Sequence, residues 1–325
     1  MGKNSYPKIQ HYVPKFILRN FTTGSGSKIY AFDKKTGELF NPDVKNVAAE
    51  RGFYDTEFDP NVLPIESRLG GLESAVSPII NKIVLEESLF HVSDKERLIL
   101  SLFIAVQFLR VKQKRIMLAD VNQILEERLR KMGADPKKVK NFEVMDEESI
   151  KRTSIHGMMD AKIFVPHIRN KAWFLFKAPK SHPLYVSDNP ITMQNELGRG
   201  PRGNLGLAVR GIEIYFPISK ALSLGLYCES HAQAVRDGLR RHEILQKRNP
   251  YIANPVNIDP LKRMMEGLQS GCAISLSGEN VINQNSLQVI YSSRFVYSSV
   301  EDFSLVRKMI RDNPKFKRGI SIEHN

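Results

Sequence analysis

Two short runs of the sequence contain residue types that could do chemistry together. The first run contains His11 and Lys15, and the second contains Ser187, Asp188 and Asn189. A histidine titrates near neutral pH and can move protons, and a carboxylate can act as a second acid or base. We therefore interpret His11 and Asp188 as candidate catalytic residues. Lys15, Ser187 and Asn189 are candidate substrate-binding residues beside them.

Each run also has a structural interpretation. His11 could cap or hydrogen-bond the start of a segment that Pro14 fixes, since proline suits the first turn of a helix. Asp188 and Asn189 precede Pro190, and Asp or Asn in that position forms turns by bonding to its own backbone. The sequence leaves both interpretations open.

A third set of polar residues falls on one face of a predicted helix. Gln107, Arg110 and Arg115 lie at spacings of three and eight residues. Gln107 interrupts a strongly apolar run, and a buried amide costs free energy unless it finds a partner. That partner could be His11, Asp188 or a ligand phosphate. We interpret all three helix residues as substrate-binding, and the alternative is a polar stripe that lines a domain seam.

Metal chemistry has weaker support. Glu66 and Glu73 lie seven residues apart on one helical face, and Glu73 with His11 and Asp188 could supply ligands for Mg²⁺ or Mn²⁺. No local spacing of the His-x-x-x-His kind accompanies them. We therefore assign no cofactor and leave Mg²⁺ or Mn²⁺ at Glu73 and Asp188 open.

A formal G-x-G-x-x-G match at residues 198–203 is a weak signal. It contains Pro201, follows no apolar strand directly and begins no helix. The dinucleotide-binding fingerprint needs a strand, a turn and a helix around it. We interpret the segment as a surface loop.

Charge is the strongest compositional clue. The 325 residues include 48 Lys and Arg against 35 Asp and Glu, which gives a formal net charge of +13. The surplus is clustered at 110–140 and at 306–319. A positive field of this kind attracts phosphate polyanions. Nucleic acid or a phosphorylated ligand is therefore the predicted partner, and the sequence does not indicate an oligomeric state.

Composition also predicts the compartment. The longest apolar stretch, 98–109, is shorter than the ~20 residues that a membrane span needs. The N-terminus lacks the apolar core of a secretory signal. We expect a cytoplasmic protein that does not partner with a membrane, in which Cys228 and Cys272 are reduced and buried.

The periodicity of apolar residues predicts the elements that position these residues. Ser93 and Glu96 form a capping-box pattern at the start of one long helix that Gly133 would end. The other predicted elements are a hairpin at 28–40, helices at 65–90, 149–170, 231–246 and 279–294, and strands near 172–176, 184–186, 212–216 and 222–227.

This order predicts an α+β fold, in which a long-helix-rich N-terminal half packs on a mixed, largely antiparallel β-containing C-terminal half. We expect one domain over 1–325. Its helical part covers about 60–170, its β-rich part about 171–325, and residues 134–148 form a mobile insertion.

Several stretches carry a family resemblance. The run His11-Tyr12-Val13-Pro14, followed by Leu18 and Phe21, resembles the N-terminal signature of the domain of unknown function 4238, a family of mainly bacterial proteins. Further matches, in order, are Ile65-Glu66 with Leu72-Glu73, Gln107 with Arg110, Ser187-Asp188-Asn189-Pro190, Phe216-Pro217-Ile218-Ser219, Asn285, and Arg294-Phe295-Val296-Tyr297-Ser298. The chain departs from the family pattern at Gln10 and Lys15, where the family often has a histidine and a glutamine.

The resemblance carries no settled biochemical role, so function is a hypothesis from charge and candidate residues. The leading one is a phosphate-directed enzyme that acts on nucleic acid, a nuclease-like toxin or phage-defence effector. In it, Arg110 and Lys15 would clamp phosphate. The alternatives are a non-catalytic nucleic-acid-binding protein and a protein-interaction or scaffold protein.

Overall fold

A computed structural model of the chain describes residues 9–24, 26–55, 65–195, 205–248 and 257–320. The α-helices in these ranges are α1 (Lys15–Arg19), α2 (Ile65–Glu86), α3 (Asp94–Leu109), α4 (Lys112–Lys131), α5 (Glu147–Met159), α6 (Val165–Arg169), α7 (Glu229–Arg248), α8 (Asp259–Ser270), α9 (Gly278–Tyr291) and α10 (Ser304–Asp312). The strands are β1 (Ile9–His11), β2 (Tyr30–Asp33), β3 (Leu39–Phe40), β4 (Ala49–Arg51), β5 (Ala172–Lys177), β6 (Val186–Ser187), β7 (Thr192–Gln194), β8 (Glu213–Pro217), β9 (Leu222–Tyr227), β10 (Ile274–Ser275) and β11 (Phe295–Ser298). The G-x-G-x-x-G match at 198–203 lies outside the described residues.

The α+β prediction is confirmed. Within the described ranges the strands form a β1-β4 ribbon, a sheet in the order β3-β2-β11-β6 and a sheet in the order β10-β5-β9-β8-β7. Pairing is antiparallel except between β10 and β5. The predicted hairpin is also confirmed as β2-β3, and its partner in the sheet is the late strand β11. The two ends of the chain are therefore joined in one sheet.

The five-stranded sheet has two different faces because side chains alternate along a strand. One face carries Ile214, Phe216 and Leu224, which are fully buried, and the ring centroid of Phe216 lies 6.1 Å from that of Phe103 on α3. This face builds the main core with the helical half. The other face carries aromatic rings, and the register places Phe174, Gly225 and Tyr215 side by side across β5, β9 and β8.

The single long helix predicted from Ser93 to Gly133 is wrong in one respect, because the chain breaks into α3 and α4. The capping box at Ser93 is present, but the helix stops at Leu109 and Val111 is extended, with φ −82° and ψ 152°. The break contains neither glycine nor proline. Its cause is tertiary, since Val111 is fully buried and Arg110 binds another segment.

Other differences are smaller. The helix predicted over 149–170 is divided into α5, a 3₁₀ turn and α6, and α8 and α10 were not predicted. In the segment 134–148, Asn122 on α4 donates to the carbonyl of Glu143 at 2.7 Å. Cys272 is exposed and Cys228 is half-buried, so the prediction that both are buried is wrong. The described helices include none with the length and apolar character of a membrane span.

Candidate functional site

The first signature run is fixed on both sides by main-chain contacts. Strand β1 pairs with β4, and the backbone N–H of Tyr12 donates to the carbonyl of Ala48 at 2.9 Å. Pro14 then caps α1, which buries Ile17 and Leu18 completely. The run therefore enters the core directly after His11.

Gln107 and Arg110 hold the main chain of this run. Gln107 Nε2 donates to the carbonyl of Tyr12 at 2.9 Å, and Arg110 Nε donates to the same oxygen at 3.1 Å. Arg110 also donates to the carbonyl of His11 at 2.8 Å and pairs with Glu73 on α2 at 2.8 Å. The partner that a buried Gln107 requires is thus a backbone carbonyl.

His11 and Glu66 lie within electrostatic range of this buried guanidinium, and Lys15 lies within range of both. The imidazole of His11 is half-buried, and burial lowers its pKa. Lys15 and Arg110 lower the pKa further, whereas hydrogen bonding to the backbone of Val44 and Lys45 raises it without reversing the shift. Glu66 on α2 is also half-buried, and burial raises its pKa against the opposing charge of Arg110. Lys15 is exposed and acts electrostatically on both groups. The sequence indicated Glu66 on one helical face with Glu73 and in the family resemblance, but not as a candidate site residue.

The cluster contains four buried polar atoms that have no hydrogen-bond partner among the described residues. They are His11 Nε2, Glu66 Oε2, Gln107 Oε1 and Arg110 NH1. Each buried polar atom without a partner costs about 1–3 kcal/mol, so native proteins rarely concentrate them. The set offers both acceptors and a cationic donor. That combination suits a polar, negatively charged ligand group that also carries a donor.

Asp188 belongs to a different cluster. Its carboxylate accepts from the backbone N–H groups of Ser293, Arg294 and Phe295 at 2.7–2.8 Å, and from the Ser293 hydroxyl at 2.7 Å. The residue is 1% exposed. Burial raises the pKa of Asp188, whereas these donors and Lys34 lower it. Asp188 thus joins β6 to the start of β11.

The two neighbours of Asp188 have similar bonding roles. Ser187 Oγ donates to Gln288 Oε1 on α9 at 2.8 Å, and Asn189 Nδ2 donates to the carbonyl of Tyr291 at 2.9 Å. Both residues are almost fully buried. They attach the second signature run to α9.

The buried ring of Tyr12 lies within electrostatic range of the second signature run. Burial raises the pKa of the Tyr12 phenol, and the charge of Asp188 raises it further, so the two groups lie within electrostatic range. The carbonyl of Tyr12 meanwhile accepts from Gln107 and Arg110. Tyr12 therefore belongs to the Arg110 cluster through its carbonyl, and its phenol lies within electrostatic range of Asp188. The sequence did not mark Tyr12 as a site residue because a tyrosine in an apolar run resembles an ordinary core residue.

Arg115 lies outside both clusters. Its guanidinium donates to the carbonyl of Phe53 at 2.7 Å and to Ser154 Oγ at 3.1 Å, and it stacks 3.7 Å from the centroid of the Phe53 ring. The Nε and NH2 groups of Arg115 are therefore already hydrogen-bonded within the protein. Arg115, predicted to bind substrate, therefore lies apart from the other candidate residues and bonds to Phe53 and Ser154 instead.

The described residues contain no group of three or more His, Cys, Asp or Glu side chains that could hold a metal ion. Glu73 is paired with Arg110, and Asp188 is surrounded by N–H and O–H donors. The two candidate metal ligands therefore lie in separate clusters whose partners already balance their charge.

The basic C-terminal segment forms part of a groove. A cleft of about 930 Å³ runs beside α9 and α10. Its basic lining residues are Lys180, His182, Arg307, Lys308 and Arg311. The last three are exposed on α10. The groove shares no lining residue with the Arg110 cluster, and it contains three of the basic residues of the segment 306–319 together with Asp302.

Comparison with known proteins assigns the chain to a family. The model of the family described as "Protein of unknown function (DUF4238)" matches residues 9–302. No curated protein and no solved structure matches the chain. The match spans both signature runs, the α3–α4 break and the strand β11. The chain therefore belongs to the DUF4238 family.

Proposed function

We propose that the protein is a phosphate-directed enzyme that acts on nucleic acid, with its reaction centre at His11, Glu66 and Arg110. The observation that carries the proposal is the concentration of four unpartnered buried polar atoms around one guanidinium. Structural clusters normally satisfy such atoms, whereas sites that bind substrate keep them available. Asp188 has no catalytic role in this proposal.

The perturbed pKa values suggest the division of roles. A lowered pKa keeps the His11 imidazole neutral at pH 7, so it can accept a proton from an attacking water. A raised pKa keeps a proton on Glu66 to higher pH, so it can donate to the leaving oxygen. A P–O bond to water then forms as the ester P–O bond breaks. Lys15 would neutralise phosphate charge, and the unpartnered NH1 group of Arg110 would donate a hydrogen bond to the phosphate.

The charge distribution supports nucleic acid as the substrate. A net charge of +13 raises the encounter rate with polyanions, and the groove beside α10 offers three exposed cations in a row. The setting that we propose, a cytoplasmic nuclease-like toxin or phage-defence effector, follows from the bacterial family.

Non-catalytic nucleic-acid binding is the second candidate. The groove beside α10 favours it, because its residues are separate from the Arg110 cluster and could bind a phosphate backbone alone. A scaffold function would need neither the groove nor the unpartnered atoms.

Labelled RNA and DNA, incubated with the protein in Mg²⁺, Mn²⁺ or EDTA, separate these candidates. We expect cleavage that falls by at least about 100-fold in His11→Asn and is unchanged in His91→Asn, an exposed histidine used as the control. Salt-sensitive binding without cleavage would support the second candidate. The absence of both cleavage and binding would contradict both candidates.

A further inference from the structure

A second site lies between the five-stranded sheet and helices α8 and α9. A cavity of about 220 Å³ opens there and shares no lining residue with the Arg110 cluster or the basic groove. The residues that matter for its chemistry are Phe176, Tyr215, Tyr227, Arg263, Asn283 and Gln284.

Three aromatic rings form one wall of the cavity. The centroid of Phe176 lies 6.3 Å from that of Tyr215 and 5.9 Å from that of Tyr227, and the two tyrosine rings are nearly perpendicular at 83°. Gly225 makes this arrangement fit, because a Cβ at that position would lie 2.3 Å from the Phe176 ring. The wall therefore depends on a glycine in the middle of β9.

Hydrogen bonds behind the rings fix their orientation. The hydroxyl of Tyr215 donates to Glu213 Oε2 at 2.7 Å and lies 2.7 Å from the hydroxyl of Tyr227. Gln194 Nε2 donates to the same carboxylate oxygen at 2.6 Å. Because the rings are already held, a planar ligand could bind without ordering them.

The cavity is lined by a hydrogen-bond acceptor and by a positively charged side chain. Gln284 is 4% exposed, and its Oε1 has no hydrogen-bond partner among the described residues. Asn283 Nδ2 donates to Gln194 Oε1 at 3.1 Å, which fixes the neighbouring amide. Arg263 is exposed on α8, and no ion pair joins it to a described residue. The cavity thus combines an inner acceptor with a positive charge on its lining.

We propose that this cavity binds the base of a nucleotide. The base would lie against the rings of Phe176, Tyr215 and Tyr227 and donate a hydrogen bond to Gln284 Oε1, and Arg263 would contact the phosphate. The volume is below the ~300–1,000 Å³ of sites for drug-sized ligands, so it admits a ring system and leaves sugar and phosphate outside. The positive charge of Arg263 opposes a cationic ligand, which the aromatic wall alone would accept.

Isothermal titration calorimetry with ATP, GTP, CTP and UTP tests this proposal. We expect at least one nucleotide to bind and Gln284→Leu to weaken it at least about tenfold, through loss of the buried acceptor. Arg263→Gln should weaken the binding of the nucleotide but not the binding of the corresponding nucleoside. Gln123→Leu on α4 and Arg240→Gln on α7, both exposed, are the controls.

Gln284→Leu removes an unpartnered buried oxygen, so we expect it to fold with an undiminished melting temperature. If the same two variants weaken the binding of a single-stranded oligonucleotide, the bound base belongs to a nucleic acid. If only free nucleotide binds, the ligand is a small molecule. Three results would overturn the proposal: no binding at about 1 mM nucleotide, wild-type affinity in both variants, or displacement of the nucleotide by choline. Because the site is separate from His11, loss of cleavage would not affect this result.

Discussion

Arg110 donates to the main-chain oxygen of His11 at 2.8 Å, and its bonds to this residue do not involve the imidazole. The same guanidinium bonds to the carbonyl of Tyr12 and pairs with Glu73. One buried cation therefore fixes the backbone of the first signature run, and the Nε2 atom of His11 has no hydrogen-bond partner among the described residues. This relationship separates the structural part of the run from the part that we assign to chemistry.

Replacement of Arg110 by methionine should strongly destabilise the protein. The carboxylate of Glu73 would lose its charged partner, and the carbonyl groups of His11 and Tyr12 would each lose one of two donors. Removal of one member of a buried ion pair costs about 3–5 kcal/mol. Urea unfolding measures the loss. Arg128→Met, a substitution on the exposed side of α4, is the control. A loss below about 1 kcal/mol would show that Arg110 does not hold the run.

Asp188→Asn tests the structural role of the second run. An asparagine offers one acceptor oxygen where the carboxylate accepts four hydrogen bonds, so we expect a loss of about 3 kcal/mol in the free energy of unfolding. Asp312→Asn, at an exposed aspartate, should change it little. Unchanged stability combined with lost cleavage would reinstate Asp188 as a catalytic candidate.

Lys34→Met tests a helix terminus. The buried ammonium donates to the carbonyl groups of Val289 and Ser292, both at 2.7 Å, at the C-terminal end of α9. We expect the substitution to lower the free energy of unfolding at pH 7 by about 2 kcal/mol, because two buried carbonyls lose a donor. Lys35→Met, at the exposed neighbour, is the matched control in the same urea titration. Equal stability of the two variants would refute the capping role.

Burial of Lys114 should make the stability of the protein depend on pH. Unlike the hydrogen bonds of Lys34, this burial destabilises the folded protein. Its Nζ lies 3.7 Å from the centroid of the Phe108 ring, and burial lowers its pKa from 10.5 to about 8. Between these values the unfolded chain binds more protons than the folded one, so stability rises as pH increases from about 8 to 10.5. Lys34, whose pKa burial also lowers to about 8, contributes in the same direction.

Lys114→Met should therefore raise the free energy of unfolding at pH 7, by about 1–2 kcal/mol once partial solvation is allowed for. It should also reduce the increase in stability between pH 8 and pH 10. Urea unfolding at both pH values measures each effect, with Lys131→Met as the control on the same helix. A variant less stable than the wild type at pH 7 would contradict the burial penalty.

The sequence predicts the local elements better than the long-range contacts. Ser93 and Glu96 give a capping box that is present, because both partners lie within one helical turn. The end of α3 at Leu109 has no local signal, since it depends on the contacts of Arg110 with Tyr12 and His11. These two residues precede Arg110 by 98 and 99 positions in the chain. Periodicity carries no information on such contacts.

The candidate site shows the same division. Gln107 and Arg110 lie beside the run that contains His11, as the need of a buried amide for a partner suggested. They bind backbone atoms of that run, which residue types do not identify. Glu66 gains its importance from burial beside Arg110, which helical spacing alone could not reveal. The sequence suggests Asp188 as a catalytic candidate, whereas the start of β11, distant in the sequence, donates to its carboxylate.

The central claim is that the cluster around Arg110 performs the reaction. Cleavage of one labelled RNA or DNA substrate by Glu66→Gln and by Glu86→Gln, an exposed glutamate on the same helix, tests it most directly. Both substitutions keep the side-chain shape, and thermal unfolding verifies that both variants are folded. We predict that Glu66→Gln lowers the cleavage rate at least about 100-fold and that Glu86→Gln leaves it unchanged. Equal cleavage by the two variants would contradict the account.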